Sequence, residues 1–92
     1  MRDALTLTTR AIEAVDEELN AHKSGRGRVG NLRQLAAFRD NLKTMKHQIE
    51  SGNVPPRDER LMGMGRIIAD SWPYDNELGK LILEAEQQYL KM

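Results

Sequence analysis

Apolar residues recur at intervals of three and four along most of this chain, a spacing that places them on one face of an α-helix. The stretches with this spacing predict four helices, at about residues 3–22, 31–51, 56–72 and 75–91. We find no apolar and polar alternation of the kind that marks a strand. Two long helices followed by two shorter ones, joined by short loops, predict an all-α fold in which a single domain forms a four-helix antiparallel bundle.

The same pattern predicts which residues form the core. The predicted core positions are Leu5, Ile12, Val15 and Leu19 in the first helix, Leu32, Leu35, Phe38, Leu42, Met45 and Ile49 in the second, Leu61, Met64, Ile68 and Trp72 in the third, and Leu78, Leu81, Ile82, Ala85, Tyr89 and Met92 in the fourth. The second helix has the most regular stripe, and we expect it to be the spine of the bundle.

Proline and glycine mark the predicted helix boundaries. Gly52 stands in the usual terminating position after the second helix. Pro56 suits the first turn of the third helix, where its missing N–H costs nothing. Pro73 pushes the residue before it out of helical backbone space, so the third helix is expected to end at Trp72. Asp75 is placed to cap the fourth helix by accepting a hydrogen bond from a backbone N–H.

Two glycines, Gly63 and Gly65, fall inside the predicted third helix. Each costs about 1 kcal/mol relative to alanine in a helix interior, so something is expected to offset that cost. One explanation is that a neighbouring helix crosses closely at this point. The other is that the backbone of a partner protein approaches this face.

Composition and charge limit the classes of function. Fourteen basic and fourteen acidic residues cancel, so the chain has no overall field that would attract nucleic acid or an anionic membrane. The absence of cysteine excludes disulfides and thiolate chemistry and fits a reducing compartment. The N-terminal stretch lacks the apolar core of a signal peptide, and no run is long enough to span a membrane. We expect a soluble cytoplasmic protein.

The segment 23–31, which we call the Gly/Arg loop, interrupts the helical pattern and carries three basic residues and no acidic one. Its glycines formally match the G-x-G-x-x-G pattern, but that motif requires a preceding strand to deliver a pyrophosphate to a helix N-terminus. A helix precedes it here. We therefore interpret the loop as a flexible basic connection, with contact to an acidic partner or to phosphate as the alternative.

The residues that usually carry out catalysis or bind metals do not form a recognisable set. His22 and His47 are the two histidines, and there is no cysteine to complete a ligand set. The serines have no identifiable base, and no pair of carboxylates is singled out for acid and base chemistry. We expect no catalytic residue, no metal and no cofactor, which leaves binding by surface shape and charge.

The central part of the chain resembles a known family. The similarity covers about two thirds of the chain, 32–89, and is carried by the run MGMGRIIA at 62–69, Trp72, the run DNEL at 75–78, the closing residues Leu81, Ala85 and Tyr89, and the upstream run LRQL with Leu42. These features resemble the small helical immunity proteins of type VI secretion, which neutralise effectors that hydrolyse NAD(P) in the cytoplasm. The chain departs from the family pattern at Gly63, in the Gly/Arg loop and in the linker before Asp75, which is slightly short.

The resemblance implies a mechanism of occlusion, in which the bundle binds a cognate toxin domain and closes its cofactor pocket. A site that accepts a dinucleotide offers backbone amides and cationic groups to phosphate, so acidic and amphipathic side chains suit it as plugs. The partner-binding residues expected on this basis are Arg66, Asp70, Trp72, Tyr74, Asp75 and Glu77.

Alternatives remain open for two of these residues and for the function. Trp72 is equally well explained as core filler, and Asp75 as a helix cap. A non-catalytic adaptor or a regulatory module that dimerises would also use amphipathic helices with methionines, so self-association is a second hypothesis. An enzyme is the third, with the glycine pattern of the loop as its sole support.

Overall fold

The computed structural model of the chain describes residues 3–60, 63–73 and 75–92. These residues form four α-helices and no strand, which confirms the predicted all-α bundle with two long helices followed by two shorter ones. The helices are α1 (Ala4–Lys23), α2 (Leu32–Ser51), α3 (Met64–Ser71) and α4 (Glu77–Lys91), with a 3₁₀ turn at Arg57–Glu59 between α2 and α3. None of the helices described is long and apolar enough to cross a membrane.

The two long helices begin and end with the residues that favour helix termini. The side chain of Asp3 accepts a hydrogen bond from the backbone N–H of Thr6 at 2.7 Å, and this bond lowers the pKa of the carboxyl. Asn31 caps α2 in the same way by accepting from Gln34 N. Gly52 ends α2 with a φ of 72°, the left-handed conformation that glycine adopts most easily, as the sequence predicted.

The core lies where α1 packs against α2 and α4, and where α3 packs against α4. Seven of the twelve predicted positions in α2 and α4 are buried, and Ile49, Leu78 and Leu81 are partly buried against the core. Three predicted positions lie outside this core. Leu5 is only half-buried, and Leu7 and Ala11 form the buried stripe of α1 in its place. Leu32, the first residue of α2, is 45% exposed, and Met92, the C-cap of α4, is 50% exposed.

The third helix is shorter than the sequence predicted, and this is the main correction to the predicted fold. It begins at Met64 and not near Pro56, and the chain before it makes a 3₁₀ turn in which Glu59 N donates to Pro56 O. Gly63 precedes the helix with a φ of 110°, so it lies outside the helix interior. The end at Trp72 is confirmed. The predicted core residue Leu61 lies outside the described residues.

A carboxylate from α4 holds the beginning of α3. Gly63 has no side chain to cap the helix, and Glu86 accepts hydrogen bonds from Met64 N at 3.1 Å and Gly65 N at 3.2 Å. Glu86 is only 8% exposed. A buried carboxylate is stable there because it satisfies two backbone donors and faces the positive end of the helix dipole.

Gly65 allows this close approach. A Cβ atom built at Gly65 would lie 2.7 Å from Leu83 Cδ2 and 2.9 Å from Glu86 Oε1, both on α4. Gly65 is buried, and the side-chain atoms nearest to it belong to α4 of the same chain. Of the two explanations for the central glycines, close helix packing is therefore confirmed for Gly65.

Candidate partner-binding surfaces

The outer face of α3 carries the exposed side chains of Arg66, Ile67 and Asp70, and the small residues Ala69 and Ser71 are also exposed. The opposite face of the helix is buried through Met64, Gly65 and Ile68. Positions three and four apart are neighbours on a helix, so Asp70 lies beside both Arg66 and Ile67. Ile67 is 43% exposed, which is unusual for a large apolar side chain in this chain. We refer to Arg66, Ile67 and Asp70 as the α3 face.

Trp72 does not belong to an exposed surface. Its side chain is 7% exposed, and its ring lies 5.7 Å from that of Phe38 between centroids. The indole Nε1 donates a hydrogen bond to Gln34 Oε1 at 2.9 Å. The structure thus favours the alternative in which Trp72 fills the core, where it joins the end of α3 to α2.

The residues that follow Trp72 also differ from the expectation in one respect. The cap of α4 is Asn76, which accepts from Gly79 N at 2.9 Å, and not Asp75. Asp75 stands one position too early to reach the first turn. Asp75 and Glu77 are both exposed, which leaves their carboxylates available to a partner. Tyr74 lies outside the described residues.

A groove of about 810 Å³ runs between α1, the Gly/Arg loop and the start of α4. It brings Asp75 and Glu77 together with residues that the sequence did not single out as a site. The charged residues that line it are Glu17, Glu18, Asp75, Glu77, Arg26 and Arg28. Its apolar lining consists of Ala14, Ala21, Val29, Pro73, Leu78 and Leu81.

The Gly/Arg loop is held to α1 by two side chains of that helix. The Glu18 carboxylate accepts hydrogen bonds from the backbone N–H groups of Arg28 and Val29. His22 Nε2 donates to Val29 O at 2.8 Å and lies 3.4 Å from the same carboxylate. Val29 itself is buried in the core. A segment that was expected to be a flexible connection is therefore held at Arg28 and Val29 by hydrogen bonds and by the buried Val29 side chain.

The groove and the α3 face lie on different sides of α4. Gly79 and Glu86 of α4 contact α3, whereas Leu78 and Leu81 line the groove. With 3.6 residues per turn, these two pairs point in different directions from the helix axis. The structure thus brings Asp75 and Glu77 together in the groove and places Arg66 and Asp70 elsewhere.

Several residues of these surfaces were not predicted from the sequence. Ile67 is adjacent to the buried Ile68, so periodicity alone does not say that it faces outward. The sequence pattern did not single out Glu17, and it predicted a flexible connection for the segment that carries Arg26 and Arg28. Their common groove depends on how α4 packs against α1, a long-range contact that no local pattern reports.

Within 3–60, 63–73 and 75–92, there is no group of three or more side chains suited to hold a metal ion. A comparison with models of protein families and a comparison with curated proteins find no match for this chain. The resemblance to the type VI immunity proteins therefore stays a prediction.

Proposed function

We propose that this chain is an immunity protein that binds a cognate bacterial toxin domain, of the class that hydrolyses NAD(P), and occludes its active site. The proposal combines the resemblance of 32–89 with one structural observation. That observation is the α3 face, where Ile67 is exposed between Arg66 and Asp70 on a helix whose other face is anchored in the core.

The side chains of the α3 face are suited to fill and block a pocket that binds a dinucleotide. An aliphatic side chain such as Ile67 fills the space that an apolar part of the ligand would occupy. The Asp70 carboxylate pairs with cationic groups that would otherwise hold phosphate, and the Arg66 guanidinium with acidic groups at the pocket rim. Arginine is also a frequent energetic centre of protein interfaces.

The anchoring of α3 supports the same role. The helix is only eight residues long, too short to be stable alone, yet its beginning is held by Glu86 and its end by Trp72. A helix fixed at both ends loses little conformational freedom on binding, so more of the contact energy contributes to affinity.

Co-expression tests this proposal. Bacterial cells would produce this chain together with the toxin domain encoded next to its gene, and survival and the cellular NAD(P) content would be measured. We expect full protection by the unchanged chain and loss of protection by the double variant Arg66→Ala, Ile67→Asp. The matched control is Leu32→Asp, Arg33→Ala on α2, which changes an equally exposed aliphatic residue and its neighbouring arginine.

The folded state of both double variants is checked by circular dichroism. Full protection by a folded Arg66→Ala, Ile67→Asp variant would exclude the α3 face as the occluding surface. A chain that forms a stable dimer by sedimentation and gives no protection would instead support the adaptor or dimerisation hypothesis.

A further inference from the structure

We propose that the groove between α1, the Gly/Arg loop and α4 binds a segment of a partner protein that carries lysine or arginine side chains. The proposal concerns a surface other than the α3 face. It goes beyond the proposed function, because it does not require the partner to be a toxin.

The charge of the lining favours a cationic occupant. Four acidic and two basic residues line the groove, although the whole chain has no net charge. Glu18 is already occupied by the backbone of the loop. Among the described residues, Glu17, Asp75 and Glu77 form no ion pair, so these three carboxylates are available to a ligand.

The apolar part of the lining fits the rest of such a side chain. Lysine and arginine bury their methylene stems along apolar surface and keep the charged group at a polar edge. Ala14, Ala21, Leu78 and Leu81 provide that surface, and the carboxylates provide the edge. The small alanine side chains of α1 leave the space for the stem.

The two arginines indicate a polypeptide and not a small polycation. Guanidinium groups donate hydrogen bonds and accept none, so they pair with the carbonyl groups of a bound backbone. The hydrogen bonds from Arg28 N and Val29 N to Glu18 fix the loop that carries both arginines before any ligand arrives. A loop whose backbone is already fixed loses less conformational freedom on binding.

The experiment is a titration of the ¹⁵N-labelled full chain, followed by the amide shifts in NMR spectra. The probe is a blocked hexapeptide with two lysines and two leucines, and the control is the same peptide with glutamates in place of the lysines. We expect shifts in the second half of α1, the Gly/Arg loop and the start of α4 with the lysine peptide, and no shifts with the glutamate peptide.

A triple variant, Glu17→Gln, Asp75→Asn, Glu77→Gln, removes the available carboxylates of the groove. Each exposed ion pair contributes little, so we expect the three changes together to lower the affinity for the lysine peptide by about 5- to 50-fold. The matched control is Glu13→Gln, Glu50→Gln, Asp58→Asn, three exposed carboxylates outside the groove. We expect it to change the affinity by less than about twofold.

Three results would overturn the proposal. One is shifts that centre on the α3 face instead of the groove. Another is an equal loss of affinity in the two triple variants, which would indicate a general effect of charge. The third is spermidine binding at the same residues as tightly as the peptide, which would show that no polypeptide is needed. None of these outcomes depends on the toxin, so the protection assay tests the proposed function separately.

Discussion

At the scale of single residues, Gly65 shows how little space separates α3 from α4. Its missing side chain lets Glu86 reach the backbone N–H groups at the start of the helix, and Leu83 fills the remaining space. An added methyl group would push against both side chains. The glycine thus serves the chain's own packing, even though the sequence also allowed a partner at this position.

We expect Gly65→Ala to lower the free energy of unfolding by about 1 to 2 kcal/mol, because crowding outweighs the better helix propensity of alanine. Urea denaturation measures this change. In a Leu83→Ala background the same substitution is expected to cost less, since the nearest atom is gone. An equal cost in both backgrounds would contradict the crowding explanation, and a loss of protection without loss of stability would favour the partner explanation.

Trp72 gives a second prediction at this scale. Trp72→Phe keeps a buried ring but removes the donor to Gln34, so we expect a loss of about 1 to 3 kcal/mol in stability. Protection in the co-expression assay is expected to stay intact, because the Trp72 side chain is buried in the core. Thermal unfolding followed by circular dichroism gives the first quantity. A stable Trp72→Phe variant that no longer protects would indicate that Trp72 contributes to partner binding.

At the scale of elements, α3 depends on contacts that are distant in sequence. A carboxylate at position 86 takes the role that a capping side chain at position 63 would have. The sequence predicted the end of α3 because Pro73 acts locally on Trp72. It could not predict the start, because Pro56 favours a first helical turn there and the true cap comes from another helix.

We expect Glu86→Gln to loosen α3 more than the rest of the bundle. The amide keeps one acceptor oxygen but directs an NH₂ group at a backbone donor, which costs about 1 to 3 kcal/mol. Hydrogen exchange is expected to speed up at the amides of α3 before those of α2. The control is Glu13→Gln, a change at an exposed residue of α1, which is expected to leave hydrogen exchange in both α3 and α2 unchanged. Uniform acceleration across all helices would show that α3 does not open separately.

At the scale of the whole molecule, Phe38 joins the helices into one core. It is 2% exposed in α2 and contacts Trp72 at the end of α3. We expect Phe38→Ala to destabilise the fold by about 3 to 5 kcal/mol, with circular dichroism and Trp72 fluorescence reporting the same transition. The control is Leu32→Ala, from the same predicted stripe but 45% exposed, with an expected loss below about 0.5 kcal/mol. Comparable losses of stability for Phe38→Ala and Leu32→Ala would show that the exposure of a side chain does not determine the cost of removing it.

The sequence predicted the fold well and the surfaces poorly, for a physical reason. Periodicity reports which face of a helix is apolar, and that is enough for α1, α2 and α4 as elements. It does not report which elements meet. Adjacent Asp75 and Asn76 are both good caps by composition, and the choice of Asn76 follows from the exact first turn of α4. Likewise, Glu17 and Asp75 share a groove only after α4 has packed on α1.

Arg60 links the middle of the chain to its end. Its Nη1 donates to the carbonyl oxygens of Tyr89 and Leu90 at 3.1 Å each, its Nε donates to Pro55 O, and its guanidinium lies over the Tyr89 ring. An experimental truncation of α4 before Tyr89 would therefore remove the two carbonyl acceptors that hold the Arg60 guanidinium. The effect would reach the segment that precedes α3, 29 positions earlier in the sequence.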